Sequence, residues 1–185
     1  MRLCSIQDNR FAYRKNVLPT SMHPSQAELI VSLAKPYLKE SAQIMDPVCG
    51  VGTLLIERAH LVPAREIYAT DTYGDAITMG RENAAFAKTR INFIHRDFFD
   101  FRHDYKFDEL ITDMPVRNRQ TKAEMELFYE RFFDKAAEHL VSGGIIVMYS
   151  NEIGFVKKQI RLRVEYSLLQ ETCILDKYDF YLFVI

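Results

Sequence analysis

At 185 residues and 48% apolar composition, the chain fits one domain with a sizeable core and leaves no room for a second large one. The formal net charge of −1 argues neither for nor against an anionic partner such as nucleic acid. No run approaches the roughly eighteen apolar residues of a membrane span, and "MRLCSIQDNR" lacks the apolar stretch of a secretion signal. The expectation is a soluble, cytoplasmic protein without membrane contact.

Residues 1–20 carry Arg2, Arg10, Arg14 and Lys15 against the single acid Asp8 and show no clear period. They read as an extension or linker, with the folded domain over 21–185. Pro24 opens a helix bearing Leu29, Ile30, Leu33 and Leu38. Gln43–Asp46 reads as a short strand, and Thr53–Leu61 as a helix stopped before Pro63. "EIYATD" (66–71) is a second strand, followed by a helix through "DAITMGRENAAFAK". Asn92–His95 and Phe107–Asp113 are the third and fourth strands. Thr121 starts the next helix as a capping box with Glu124, and Met125, Phe128, Phe132, Ala136 and Leu140 form its apolar stripe. Gly143-Gly144 breaks that helix before the strand "IIVMYS". A helix near Ile153–Leu162 leads to strands over Tyr166–Leu175 and Tyr178–Ile185, joined at Asp176-Lys177.

Alternating strands and helices predict a parallel sheet covered on both faces. The closing two-residue link is too short for a parallel crossover, so the last strand runs antiparallel. The expected class is α/β, a seven-stranded Rossmann-like sheet, mostly parallel, with helices on both faces.

The three cysteines (Cys4, Cys49, Cys173) are far apart, without C-x-x-C or a histidine at ligand spacing, which disfavours a metal site or a disulfide framework. Cys49 lacks an adjacent base and reads as a small loop residue rather than a nucleophile.

The chemistry concentrates in "IMDPVCGVGTLLIERA" (44–59), which holds two of only seven glycines. Ligands of open α/β sheets bind beyond the carboxyl ends of strands. Gly50 and Gly52 permit close backbone approach, and the helix opening at Thr53 offers N–H groups to an anion. Leu55 stands where a dinucleotide fold would place a third glycine. Asp46 at the strand end suits a cationic amino group, and S-adenosylmethionine carries an amino group, a carboxylate and a sulfonium. The alternative reading of the segment is an ordinary glycine turn. Asp71, about twenty residues on, stands where an acid takes up ribose hydroxyls, or caps a helix. Asp97 of "HRDFFDF" fits an adenine amino group, with Phe98 against the ring, or is a simple loop acid. "TDMPVRNR" ends the fourth strand. There Asp113 and a backbone carbonyl could hold an amine in the pyramidal geometry needed for attack on a sulfonium methyl, or cap a turn.

"HPSQAELI", "DPVCGVGTLLIERA", "YATD", "RDFFDF" and "TDMPVRNR" occur in an order that resembles the RNA methyltransferases usually attached to THUMP domains, which act on guanine N2 of tRNA and ribosomal RNA. The likeness runs from about Tyr13 to the C-terminus. It implies S-adenosylmethionine as cofactor, with Asp46, Pro47, Cys49, Gly50, Gly52, Thr53, Asp71, Thr72, Asp97 and Phe98 around it and His23-Pro24 at the rim. It also implies Asp113, Met114 and Pro115 at the target amine. Two departures stand out. Met114 replaces the first proline of the family's fourth-strand motif and Val116 its aromatic residue, leaving Phe98, Tyr13 or Tyr149 to stack on a base. No THUMP segment is present, so RNA affinity would come from "FAYRK", "RNR" and "KKQIRLR", or from a separate RNA-binding chain. Basic clusters of this kind are also common on plain solvated faces. The alternatives are a methyltransferase for a protein or small molecule, and a catalytically weakened S-adenosylmethionine-binding module of an RNA-modifying assembly.

Overall fold

A computed structural model describes residues 9–185; Arg2, Cys4 and Asp8 lie outside them. Seven strands form one sheet in the order β3-β2-β1-β4-β5-β7-β6. These are β1 (Ala42–Asp46), β2 (Ala64–Asp71), β3 (Asn92–His95), β4 (Phe107–Asp113), β5 (Leu140–Ser150), β6 (Gln170–Leu175) and β7 (Phe180–Val184). The first five pair in parallel, while β7 is antiparallel to both β5 and β6. The expected architecture is the observed one.

Five helices cover the sheet: α1 (Pro24–Ala34), α2 (Thr53–Leu61), α3 (Gly74–Phe86), α4 (Lys122–His139) and α5 (Ile153–Leu162). Period-two alternation divides the core. Ile44, Ile111, Val147 and Leu182 face one way, with Ile30 of α1, Leu55 of α2 and Ile77 of α3. Their neighbours Met45, Leu110, Ile146 and Phe183 face the other way, with Phe132 of α4 and Val156 of α5. At roughly 1.5–3 kcal/mol per fully buried large apolar side chain, these two layers dominate the favourable terms of folding.

The sheet also buries one charge pair. Arg58 of α2 and Glu109 of β4 form a bidentate bridge, Nη2–Oε1 2.6 Å and Nε–Oε2 2.8 Å, with both side chains almost wholly inaccessible. Arg58 donates further to the carbonyls of Val62 and Lys39, and the Lys39 N–H donates to Glu109. Four of the five guanidinium N–H groups are thus engaged, as a buried charge requires.

Several boundaries differ from the sequence expectation for local physical reasons. Leu38 falls outside α1 because Pro36 tightens the chain into a 3-10 turn at Lys35–Tyr37, and Leu29 points to solvent. Gly143-Gly144 does not break α4, which already ends at His139. The pair instead makes an irregularity inside β5, with Gly143 at φ 72° and the register slipping opposite Asp108. β6 begins at Gln170 rather than Tyr166. The final link is a 3-10 turn, Asp176–Tyr178, followed by Asp179 at φ 54°. The capping box is present, with Glu124 accepting from the Thr121 N–H at 2.7 Å and Thr121 from the Glu124 N–H at 3.2 Å.

Residues 9–20 run over α2 and α3. Tyr13 is buried and its hydroxyl donates to Glu57. The Asn83 side chain accepts from the N–H groups of Lys15 (3.1 Å) and Asn16 (2.9 Å) and donates to the Asn16 carbonyl.

Candidate active site

The strand order reverses between β1 and β4, and chains leaving adjacent strands in opposite directions leave a crevice at their carboxyl ends. A cavity of about 1050 Å³ lies there. Asp46, Asp71 and Asp113 occupy the ends of β1, β2 and β4 and all line it.

The loop after β1 is held by its neighbours. Asp46 accepts from the Val48 N–H at 3.0 Å, the Cys49 N–H donates to the Thr70 carbonyl, and the Thr70 hydroxyl donates to the Pro47 carbonyl. Gly50 (φ 51°) and Gly52 (φ 77°) both adopt left-handed backbone, which glycine does at no steric cost. A Cβ on Gly52 would sit 2.7 Å from the Phe93 ring, whereas one on Gly50 would meet nothing within 4 Å. Gly52 therefore serves the turn, and Gly50 leaves bare backbone facing open space. Asp71 ties the next loop to this one: its Oδ2 accepts from the Gly50 N–H and its Oδ1 from the Tyr73 N–H, both at 2.8 Å.

Among the described residues, the strand-end acids Asp46 and Asp113 are buried without an ion-pair partner. Burial pushes the Asp46 carboxyl well above the usual range, and the charges of Asp113 and Asp71 push it further. Burial also raises Asp113 to about 7. The Cys49 thiol is raised by burial and by Asp46 and Asp71, so it is no thiolate nucleophile. A bound cation would relieve Asp46 and Asp113.

The residues fit S-adenosylmethionine on separate grounds. Thr53, first residue of α2, has a buried hydroxyl without a hydrogen-bond partner, in the cavity wall beside the free N–H groups of the helix start. That pair suits a carboxylate, the acids suit an amino group, a sulfonium and ribose hydroxyls, and Val48, Ala76, Phe98 and Phe99 offer apolar wall to a ring.

Of the residues singled out in the sequence, Asp46, Pro47, Cys49, Gly50, Thr53, Asp71, Thr72, Asp97, Phe98, Asp113, Met114 and Pro115 all line the cavity. Gly52 stands behind it as the N-cap of α2. His23 and Pro24 are not in the lining: His23 is an exposed cap whose Nδ1 accepts from the Ser25 N–H, and Pro24 is the buried first residue of α1. The preceding residues Thr20–Met22 supply that wall instead. Asp97 is exposed and accepts from the Phe99 N–H at 2.9 Å. The Phe98 ring packs on Phe132 and His139 and reaches the cavity only at its wall. Met114 is buried, with its N–H donated to the Tyr149 carbonyl at 2.9 Å, and Val116 is half exposed.

The aromatic faces come from unexpected places. Tyr13 is committed to Glu57, and Tyr149 is stacked on Phe180 with its hydroxyl accepting from Gln26; neither lines the cavity. Tyr73, Phe99 and Phe128 do, with the Arg131 guanidinium 4.0 Å over the Phe99 ring. Leu18, Asn118, Gln120 and Glu124 are further parts of the wall that sequence reasoning missed. Phe128 lay in the expected stripe of α4, and Arg131 follows it by three positions, which was the available signal.

Residues 12–171 match the RMKL-like methyltransferase domain family. The tRNA (guanine(10)-N2)-dimethyltransferase of Methanothermobacter thermautotrophicus is 32% identical over 157 residues, 81% of this chain and 46% of that protein. The crystal structure of TrmN from Thermus thermophilus superimposes with a TM-score of 0.77 at 21% identity, covering 95% of this chain and 52% of that one. SMU.472, solved in complex with SAH, gives 0.75 at 15% identity, covering 95% and 54%. The chain thus spans about half the length of these relatives. With the match running through the glycine loop, the strand-end acids and the β4 terminus, the chain belongs to the RMKL-like methyltransferase domain family.

Proposed function

We propose that the chain is an S-adenosylmethionine-dependent methyltransferase acting on an exocyclic amine of RNA, guanine N2 of tRNA or rRNA, with Asp113 holding the amine. The carrying observation is the Asp113 carboxylate at the end of β4, in the same cavity as the glycine loop and Asp71. The name of the Methanothermobacter relative supports guanine N2 as the target.

Asp46, Gly50, Thr53 and Asp71 would hold the cofactor, which when bound supplies an electrophilic methyl group. The chain's own residues then have defined tasks. The amine donates one N–H to Asp113 and another to a backbone carbonyl of the Asp113–Pro115 segment. Met114 is fixed by its bond to Tyr149, and Pro115 has no N–H to compete for the carboxylate. Both acceptors draw the amine's lone pair out of ring conjugation and stabilise positive charge as it develops on nitrogen. A carboxyl near 7 can then receive the proton the nitrogen releases and pass it to water. The base would stack on Phe99 or Phe128, since Val116 has no π-face. RNA affinity beyond this chain's own surface would come from a separate RNA-binding chain or domain.

The test is transfer of a labelled methyl group to unmodified tRNA and rRNA transcripts, followed by nucleoside mass spectrometry. N2-methylguanosine supports the reading. Label in protein or small molecules alone, or in none, contradicts it.

A further inference from the structure

A second groove, of about 470 Å³, lies beside the candidate site, between the first turns of α4 and the α5 helix. Four cations line it, Arg117, Lys122, Lys158 and Arg161, against two acids, Glu126 and Glu152. Lys158 pairs with Glu126 at 2.6 Å, and Arg117 lies 3.6 Å from Glu152. Among the described residues, Lys122 and Arg161 make no ion pair. The groove therefore carries a surplus of two positive charges on a chain whose net charge is −1.

Its backbone is also open. Gly154, in the first turn of α5, has nothing within 4 Å of where a Cβ would sit, and the Glu152 side chain makes no capping bond to that turn. The N–H groups of Phe155 and Val156 already donate to the Glu152 carbonyl, so the Gly154 N–H is the one in this turn that adds to the cationic side chains. Arg117 lines both this groove and the larger cavity, so the two adjoin at that residue. Arg117 follows Asp113 by only four residues, within about 14 Å even for extended chain.

We infer that this groove holds the phosphodiester backbone of the RNA strand beside the nucleotide whose base enters the site. The inference rests on the RNA reading above and assigns it a surface. Guanidinium and ammonium groups with open backbone N–H suit phosphate oxygens, and a strand with one base at Asp113 must leave past Arg117. Glu126 and Glu152 hold Lys158 and Arg117 in place along the groove. Arg117 of "RNR" and Lys158 and Arg161 of "KKQIRLR", far apart in sequence, thus act on one strand.

The test compares wild type with the Lys122→Glu/Arg161→Glu double variant, both positions being exposed and outside ion pairs. A fluorescein-labelled unmodified tRNA transcript is titrated over a range of salt, with S-adenosylhomocysteine affinity and melting temperature as controls. The variant should bind the transcript at least about tenfold more weakly, with a salt slope shallower by roughly 1–2, one phosphate contact contributing a little under one. KM for RNA should rise more than kcat falls, with cofactor affinity unchanged. Equal affinity and equal slope, in a wild type that does methylate RNA, would overturn this inference and leave the function standing. A wild type that methylates an acidic protein and no RNA would overturn both.

Discussion

Asp71→Ala isolates what the second strand-end acid does. The Asp71 carboxylate holds two backbone N–H groups, those of Gly50 and Tyr73 at 2.8 Å each, and both belong to loops that line the cavity. A hydrogen bond to a charged group contributes about 1.5–3 kcal/mol, and the partial exposure of Asp71 places each near the lower end. Alanine removes both bonds and also the acceptor offered to ribose hydroxyls. Cofactor binding should therefore weaken by about 1.5–3 kcal/mol, roughly 10–150-fold in Kd. Loosening the loops should also cost about 1–3 kcal/mol of stability, a fall in Tm of about 2–12 °C for a domain of this size. Asp71→Asn keeps one acceptor oxygen and should lie between the two. Calorimetric titration with S-adenosylhomocysteine and a thermal melt measure both. A lower Tm with unchanged Kd would make Asp71 a loop-holding residue only and refute its place in the cofactor site.

Three further outcomes follow from other parts of the structure. Because Asp113 must be ionised to hold the amine and take its proton, kcat/KM should rise with pH through about 7 in the free enzyme; a flat profile from 5.5 to 8.5 would contradict that role. His139 is held below its usual pKa by burial and by Lys135, and its Nε2 is buried without a partner among Phe98, Phe101 and Phe107. Its neutral form contributes stability above about pH 6.5 that is lost as pH falls through the lower folded value, so His139→Phe should flatten the urea midpoint between pH 7 and 5. Arg58→Met leaves Glu109 buried and unpaired and should cost about 3–5 kcal/mol, while the Arg58→Met/Glu109→Leu pair should recover most of it; equal losses in single and double variants would deny the coupling.

The fold was legible because its periods are clean. Short apolar runs between turn signals gave β1, β4 and β5, which are buried on both faces, and the Thr121–Glu124 box fixed the start of α4 to the residue. Gly143-Gly144 misled because a glycine pair signals a helix end and a strand irregularity alike; only the slip opposite Asp108 separates them. Residues 9–20 have no period, since their order comes from long-range bonds to Glu57 and Asn83. At the site, strand-end acids were legible because strand ends converge on one edge of the sheet. The proline of His23-Pro24 is needed at the start of α1, so the wall falls to Thr20–Met22. Phe128 and Arg131 were hidden on a helix face, where a residue lining a cavity has the same spacing as one lining the core.

The central claim is that Asp113 holds the target amine beside the methyl donor. Its most direct test is single-turnover methyl transfer to unmodified tRNA, with cofactor bound to saturation, comparing wild type with Asp113→Ala. The account assigns cofactor binding to Asp46, Gly50, Thr53 and Asp71, so the variant should hold S-adenosylhomocysteine about as tightly as wild type. The transfer rate should fall about 10²–10³-fold, the loss expected when one preorganised polar partner is removed from a transition state. Equal transfer rates in the two proteins would contradict the account.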